Sequence, residues 1–542
     1  MTEILIALLP FALGIFHEWT AGILSVVLLA FIIIKAKDNK KFFLPKDVLF
    51  LTAVIIPVMF LISPLWATDK GMTLLGFTKF LPIPLVLILL RNSERIEDPF
   101  KYLPLSGAVM TVTSFLLGLI FPKEGMFLVS GRLAGFFQYP NTFALFLLIS
   151  LSLLLLKDKQ KKLDLICAPI LLIGIILSGS RTVFVLLILF LIVFVIVSKN
   201  KKFKIGALAF AAGVIILAGV YVLVTGNKET AGRFLTTSFT SSTFVGRFLY
   251  YKDVLPQILK HPLGLGYMGY FYSQTSFQTG VYTVVHVHND LLQILIDIGW
   301  IPAGLICYAT VRRFLKVDMR YKVTIALMVL HLLFDFDMQF VSILIIFFVL
   351  LYDHDGKKLE LKKTHFNIAA SCVVLLSLYL AIPSFLSYIR KDEQAVKIAP
   401  WYTASHIKLL SKADTPEKMN EIADKILKNN DSVSVAYSAK AKASFSEGDV
   451  LKMIEYKNKA IDRNKYDINE YVDYLDMLFV STNLYIEAGD SESAKYCVDK
   501  IKEVPLMLDR VKNGTSSLAY KIKDVPELDL PDEYQEVVDS LG

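Results

Sequence analysis

Long apolar runs follow one another through the first 389 residues of this chain, and such a pattern demands lipid as its solvent. They occupy residues 4–17, 20–34, 48–67, 71–90, 102–121, 135–156, 165–179, 182–198, 205–225, 291–311, 323–337, 338–352 and 366–389. Composition agrees, since 55% of the 542 residues are hydrophobic and mean hydropathy is +0.55, far above a soluble domain. The expected fold class is all-α, a polytopic membrane bundle of about twelve or thirteen transmembrane helices. The first run, the seventh and the pair around Asp335 to Asp337 fall short of twenty residues, so each could be re-entrant. Met1 to Thr20 has no basic start and no small-residue cleavage site, and reads as a first membrane helix rather than a removable signal peptide. Cys167, Cys307 and Cys372 lie in apolar runs and Cys497 lies alone, so no disulfide framework or zinc pattern can be built.

Topology follows from where the basic residues fall. Six alternate loops, around residues 35–46, 91–101, 157–162, 199–204, 312–322 and 357–363, hold 25 Lys and Arg, whereas the intervening loops hold nine. The richer set is expected on the cytoplasmic side. That puts the N-terminus inside, the polar island at about 226–290 outside, and everything after Ile389 outside as well.

Charge divides the chain into two bodies at the same point. Residues 1–389 carry a net +14, and residues 390–542 a net −6. In the second body apolar residues recur at helical spacing in 403–428, 433–445, 449–463, 468–487 and 491–503. Two turns share a signature, Glu447-Gly448-Asp449 and Ala488-Gly489-Asp490, and the helices after them carry Ala460 and Ala494. The 390–542 region resembles degenerate tetratricopeptide-type helix pairs, with a generic helical bundle as the alternative.

Four motifs stand out in the first body. They are the run Gly131-Arg132-Leu133-Ala134-Gly135-Phe136-Phe137-Gln138-Tyr139-Pro140-Asn141; Ser178-Gly179-Ser180-Arg181-Thr182 between two apolar helices; Gly246-Arg247 through His261-Pro262-Leu263-Gly264-Leu265-Gly266; and His286-Val287-His288-Asn289-Asp290-Leu291-Leu292-Gln293. In order and membrane placement they resemble the O-antigen ligase and polymerase family of bacterial envelope glycosyltransferases, over about residues 120–350. The resemblance implies a GT-C-like membrane fold in the bacterial cytoplasmic membrane. It also implies transfer of a glycan from an undecaprenyl-diphosphate carrier to an acceptor hydroxyl at the outer face. No nucleotide sugar, cofactor, metal or nucleic acid is implied. The expected partners are that lipid-linked donor, a glycan, lipid or protein acceptor, the surrounding lipids, and an envelope protein for the C-terminal body.

The residue chemistry suits such a reaction. A diphosphate leaving group calls for fixed positive charge, and an Arg fork binds phosphate oxygens bidentately while staying protonated. Arg181 and Arg247 are the first candidates, with Arg233 and Arg132 behind them. An acceptor hydroxyl needs a base, and neutral imidazole serves near pH 7. His288 is the candidate, because Asn289-Asp290 look like the cap of the helix at 291–311 and place it at the membrane surface. His286, Asn289, Asp290, His331 and Asp335 are candidates for acceptor binding or support.

Each assignment has a plainer alternative. Arg181 could bind lipid headgroups at the interface, Arg247 could pair with Asp253 in a solvated loop, and His288 could be a structural cap. His286 and His288 could form half of a metal site, but carboxylate partners at ligand spacing are not evident beyond Asp290. His331, Asp335 and Asp337 could cap a helical hairpin. Gly264 and Gly266 fit a tight turn after an amphipathic helix at 245–260 rather than a phosphate loop. Lys79 and Asp297 fall in apolar runs and are expected to find partners within the bundle. A transporter or flippase for an anionic polymer would also need polar residues among many helices, but the internal repeats usual there are absent.

Overall fold

The computed structural model describes residues 2–35, 41–94, 96–121, 123, 125–159, 161–198, 204–206, 208, 209, 212, 213, 216 and 242–541. Among the described residues the first body is built mainly of helices. Its elements are α1 (Thr2–Leu8), α2 (Glu18–Lys35), α3 (Val48–Ile62), α4 (Leu74–Phe80), α5 (Pro82–Arg91), α6 (Leu103–Ile120), α7 (Pro140–Leu155), α8 (Lys162–Ser178), α9 (Arg181–Val197), α10 (Ser242–Lys260), α11 (Gly269–Phe277), α12 (Asp290–Ile298), α13 (Trp300–Phe314), α14 (Met319–Leu332), α15 (Val341–Leu351) and α16 (Lys363–Tyr388). Among the described residues, five stretches are long and apolar enough to cross a membrane: Glu18–Lys35, Val48–Leu65, Leu74–Arg91, Leu103–Ile120 and Lys363–Tyr388. The chain is an all-α polytopic membrane bundle, as its composition requires. The apolar run at 205–225 lies mostly outside the described residues.

Apolarity all round a helix predicts burial all round it, and α5, α7 and α15 follow that rule. Every residue of α15 is buried, as is every residue of α7 except Asn141 and of α5 except Arg91. α7 packs against α6, α8, α9 and α14. The outer helices instead leave large apolar side chains such as Ile23, Leu119, Ile196 and Leu375 exposed, the surface that lipid covers. Eleven residues of α15 rise about 16 Å at about 1.5 Å each, roughly half a hydrocarbon core. The polar turn before it is therefore drawn into the body, and Asp335 and Asp337 are 1% and 0% exposed.

Four of the loops rich in Lys and Arg, around 35–46, 91–101, 312–322 and 357–363, meet at one end of the bundle. Strand β1 (Lys41–Pro45) pairs antiparallel with β4 (Lys358–Lys362), in register from Lys41 with Lys362 to Pro45 with Lys358. Arg91 donates to the carbonyls of His354 and Gly356, Arg313 to that of Tyr352 at 2.9 Å, and Arg320 to Asp98 at 3.1 Å. A short hairpin of β2 (Leu128–Val129) and β3 (Arg132–Leu133) belongs to the set of loops that carry the site.

One predicted span is interrupted. The run at 291–311 breaks between α12 and α13 at Gly299, with φ 83° and ψ −170°, where no other residue type sits comfortably. The His261-to-Gly266 run locks onto the broken end: Leu265 N donates to Ile296 O at 2.6 Å, Gly266 N to Asp297 O at 2.9 Å and Trp300 N to Pro262 O at 3.1 Å. Gly264 has φ +82°, and a Cβ there would lie 2.4 Å from Asp297 O. Gly264→Ala is expected to destabilise the fold by about 2 kcal/mol or more, read as a lower thermal unfolding midpoint in detergent. Inside the bundle Lys79 donates to Tyr267 OH at 3.1 Å, Tyr267 OH donates to Glu18 at 2.6 Å, and Asp297 accepts from Gln293 at 2.9 Å.

The chain ends in α17 (Asp392–Ile398), α18 (Thr403–Leu410), α19 (Pro416–Asn429), α20 (Ser434–Ser446), α21 (Val450–Arg463), α22 (Ile468–Glu487), α23 (Ser491–Gly514) and α24 (Asp532–Ser540). The expected helix at 403–428 is two helices, because Thr415 caps Lys418 N at 3.3 Å and Pro416 opens the second. The two turns with the shared signature are built alike. Asp449 N donates to Ser444 O and Asp490 N to Tyr485 O, both at 2.9 Å, around glycines with φ 78° and 75°. Asp449 and Asp490 then cap the following helices through Lys452 N and Ser493 N. The apolar core of the membrane body continues through Ala395, Ala423 and Ala439, and a second core, Ala441 to Val538, begins beyond it. The first of these helices dock on the loop after α3: Lys70 N donates to Asn429 O at 3.1 Å, and the buried Asp69 accepts from Asn430 at 3.1 Å.

Candidate active site

Four segments far apart in the chain bring polar side chains to one carboxylate. Asp335, in the turn after α14, accepts from Tyr139 OH at 2.8 Å and Asn141 Nδ2 at 2.8 Å, both at the start of α7. Arg247 Nη2, from α10, lies 3.3 Å from its Oδ2, and His288 Nδ1, from the loop before α12, lies 3.3 Å from its Oδ1. Burial alone would raise the Asp335 carboxyl. The His288 hydrogen bond, the Arg247 charge and the charges of His288 and His331 outweigh that and hold it below the usual carboxylate range.

The His288 backbone is fixed as firmly as its ring. It adopts φ 58°, uncommon for a non-glycine residue, while Tyr251 OH donates to its carbonyl at 2.7 Å and lies 3.2 Å from Leu333 O. Asn289 caps α12 through Leu292 N at 3.0 Å, as its sequence position predicts, and donates to Leu333 O at 2.9 Å. Phe336 packs edge-on against the His288 ring at 4.9 Å. The His288 and Arg247 side chains stay 21% and 12% exposed, against 2% for Asp335. A carboxylate that accepts from Nδ1 leaves Nε2 as the proton acceptor, at a position a substrate can reach.

The other candidates sort around this centre. Arg132 donates from Nε to Ser178 O and from Nη2 to Asn141 Oδ1, both at 2.7 Å, and so joins through Asn141. Asp290 accepts from Met338 N at 3.0 Å beneath the same turn. His331 is wholly buried and pairs with Asp337 at 2.6 Å, while Asp337 also accepts from Thr142 at 2.6 Å, so this pair braces the turn from behind. His286 packs against Phe336 at 5.0 Å and Phe16 at 6.2 Å. Burial first, then the charges of Lys79 and His288, push its imidazole well below the ordinary range and leave it neutral. Arg181 opens α9, three residues past the Ser178 carbonyl that holds Arg132, and makes no hydrogen bond or ion pair among the described residues. Arg233 lies outside the described residues. The alternative pairing of Arg247 with Asp253 is not what forms, since Asp253 is taken by Thr279 and Tyr282. Among the described residues no three His, Cys, Asp or Glu side chains converge as a metal group would require.

Tyr139, Asn141, Thr142 and Tyr251 were not singled out by sequence reasoning. Tyr139 and Asn141 do lie inside the Gly131-to-Asn141 motif, which was their only signal.

The stretch that carries Arg181, Arg247, His286 and His288 is also the one with a recognisable family. Residues 166–309 match the family described as O-antigen ligase. Residues 166–309 are therefore similar to an O-antigen ligase domain, which supports a membrane glycan ligase or polymerase family. Arg132, Tyr139 and Asn141 precede the matched stretch of that domain, and Asp335 follows it. No curated protein and no solved structure matches the chain.

Proposed function

We propose that the protein moves a glycan from an undecaprenyl-diphosphate carrier to an acceptor hydroxyl at the outer face of a bacterial cytoplasmic membrane, with inversion at the anomeric carbon and no metal. The observation that carries this reading is the contact of Asp335 with both His288 Nδ1 and Arg247, inside and beside the stretch similar to an O-antigen ligase domain. His288 Nε2 takes the proton of the acceptor hydroxyl as its oxygen bonds to the anomeric carbon. The bond from that carbon to the diphosphate oxygen breaks, and Arg247 meets the charge that develops on the leaving group. Asp335 holds the imidazole in the required tautomer and steadies the imidazolium that forms, as the carboxylate of a nucleophile-base-acid triad does. Arg132 and Arg181 border the site as further phosphate ligands, and Arg233 is carried as a candidate on sequence alone. Basic loops clustered at the opposite end support placing the site outside. In this reading residues 1–389 form the transferase, and the helices from residue 390 onward gather an acceptor or an envelope protein partner near it.

Reconstitution with an undecaprenyl-diphosphate oligosaccharide and candidate acceptors tests the proposal. Glycan on the acceptor and free undecaprenyl diphosphate are expected. Movement of the intact lipid-linked glycan across the bilayer, with its phosphate-sugar bond unbroken, would instead make the protein a flippase. Arg247→Lys keeps the charge and loses the fork, so kcat is expected to fall about tenfold in the same assay.

A further inference from the structure

The loop that delivers His288 is clamped to the helix that delivers Arg247, and the far end of the chain closes over the clamp. Asp253, buried on α10, accepts from Thr279 N at 2.8 Å, Thr279 Oγ1 at 2.6 Å and Tyr282 OH at 2.9 Å. From the other side Ser516 N donates to Thr279 O at 2.8 Å, and Lys252 Nζ donates to Ser516 Oγ at 3.0 Å. Leu249 of α10, Tyr282 of the loop and Ala519 of the C-terminal segment form one buried apolar cluster, with Leu518 and Ile522 packed on it. The fit is closest at Gly280, where a Cβ would lie 2.6 Å from Ala519 Cβ and 2.9 Å from Leu249 Cδ2. Ile522 also reaches toward Gly246, next to Arg247, where a Cβ would lie 3.9 Å from its Cγ2.

We propose that the segment from Ser516 to Ile522 is a positioning element of the transfer site, holding the His288 loop and the Arg247 helix at their working separation. The inference rests on the reading of His288 as base and Arg247 as phosphate ligand. An acceptor hydroxyl and a diphosphate must meet these two groups together, so their spacing governs the rate of transfer more than the affinity for donor. The C-terminal helices are then a structural part of the enzyme's active end, and whatever engages them acts on a segment that touches both site-bearing elements.

A compensating pair of substitutions tests this in the full-length protein. Gly280→Ala places a methyl against Ala519 and is expected to lower kcat about thirtyfold, with donor KM changed less than about threefold, since misplacement by about 1 Å costs on that order. It is also expected to speed hydrogen exchange in residues 278–289. Ala519→Gly added to Gly280→Ala removes the methyl it meets and is expected to restore both rate and exchange protection. Lys252→Met, which cuts the tether to Ser516 without entering the apolar cluster, provides a second route and is expected to lower kcat at least threefold. Parent-like kcat in Gly280→Ala and Lys252→Met, or a double variant as slow as the single one, overturns the proposal. Hydrogen exchange reads the contact without catalysis. An active His288→Ala would therefore unseat the base assignment while leaving the contact between tail and loop to be judged separately.

Discussion

Asp335→Ala is expected to lower the unfolding free energy by about 3–5 kcal/mol, because it strands Arg247, Tyr139 and Asn141 around a vacated buried anion site. Chemical denaturation in detergent measures this, and transfer should fall with it as His288 loses its orienting partner. Asp335→Asn keeps the shape and removes the charge, so comparison with the parent isolates the ionic part. The sign with pH follows from the depressed carboxyl. The stability contributed by the ionised group is fully present above the ordinary value of 3.8 and is lost as pH falls below it through the folded-state value. The gap between parent and Asp335→Asn should thus not narrow from neutral pH down to about 4 and should close only in stronger acid. A gap that narrows already between pH 7 and 5 would mean that Asp335 is not held as an anion.

His288→Ala is expected to lower kcat by about 10³-fold while leaving carrier binding near that of the parent, since a positioned general base contributes about 10²–10⁴-fold. Single-turnover release of undecaprenyl diphosphate measures the first effect, and binding of the labelled carrier the second. Equal loss of both would make His288 part of donor recognition and leave the base unidentified. His286 offers the internal contrast. It is buried and packed on Phe336 and Phe16, whereas the His288 side chain stays partly exposed.

Some of this was legible in the sequence for identifiable reasons. Membrane helices announce themselves because lipid allows few polar residues for twenty positions, and the Asn289 cap is a local hydrogen bond three residues long. Arg247 and His288 could be singled out because they stand in a polar island between apolar runs. The part played by Asp335 could not be read in the same way. Its partners are 196, 194, 88 and 47 residues away, and only packing decides that a residue at the end of an apolar run becomes the shared anion. The break at Gly299 leaves no mark in the sequence, because Ile298 and Trp300 flank it and hydropathy does not register a φ of 83°. Apolar periodicity in the tail continued across 403–428 although Pro416 interrupts the helix, since spacing counts side chains and not missing N–H groups.

The docking of Asn429 and Asn430 on the loop at Asp69 and Lys70 constrains how the chain is threaded. Two segments that share hydrogen bonds outside the apolar layer must reside in one compartment. The polypeptide between Gly71 and Trp401 must therefore traverse the bilayer an even number of times. An early loop thus waits through most of synthesis for a partner made near the end, and insertion of a wrong parity would leave the buried Asp69 without its Asn430 partner. Correct threading of the membrane-spanning part is in this way checked by contacts made late, this one among them.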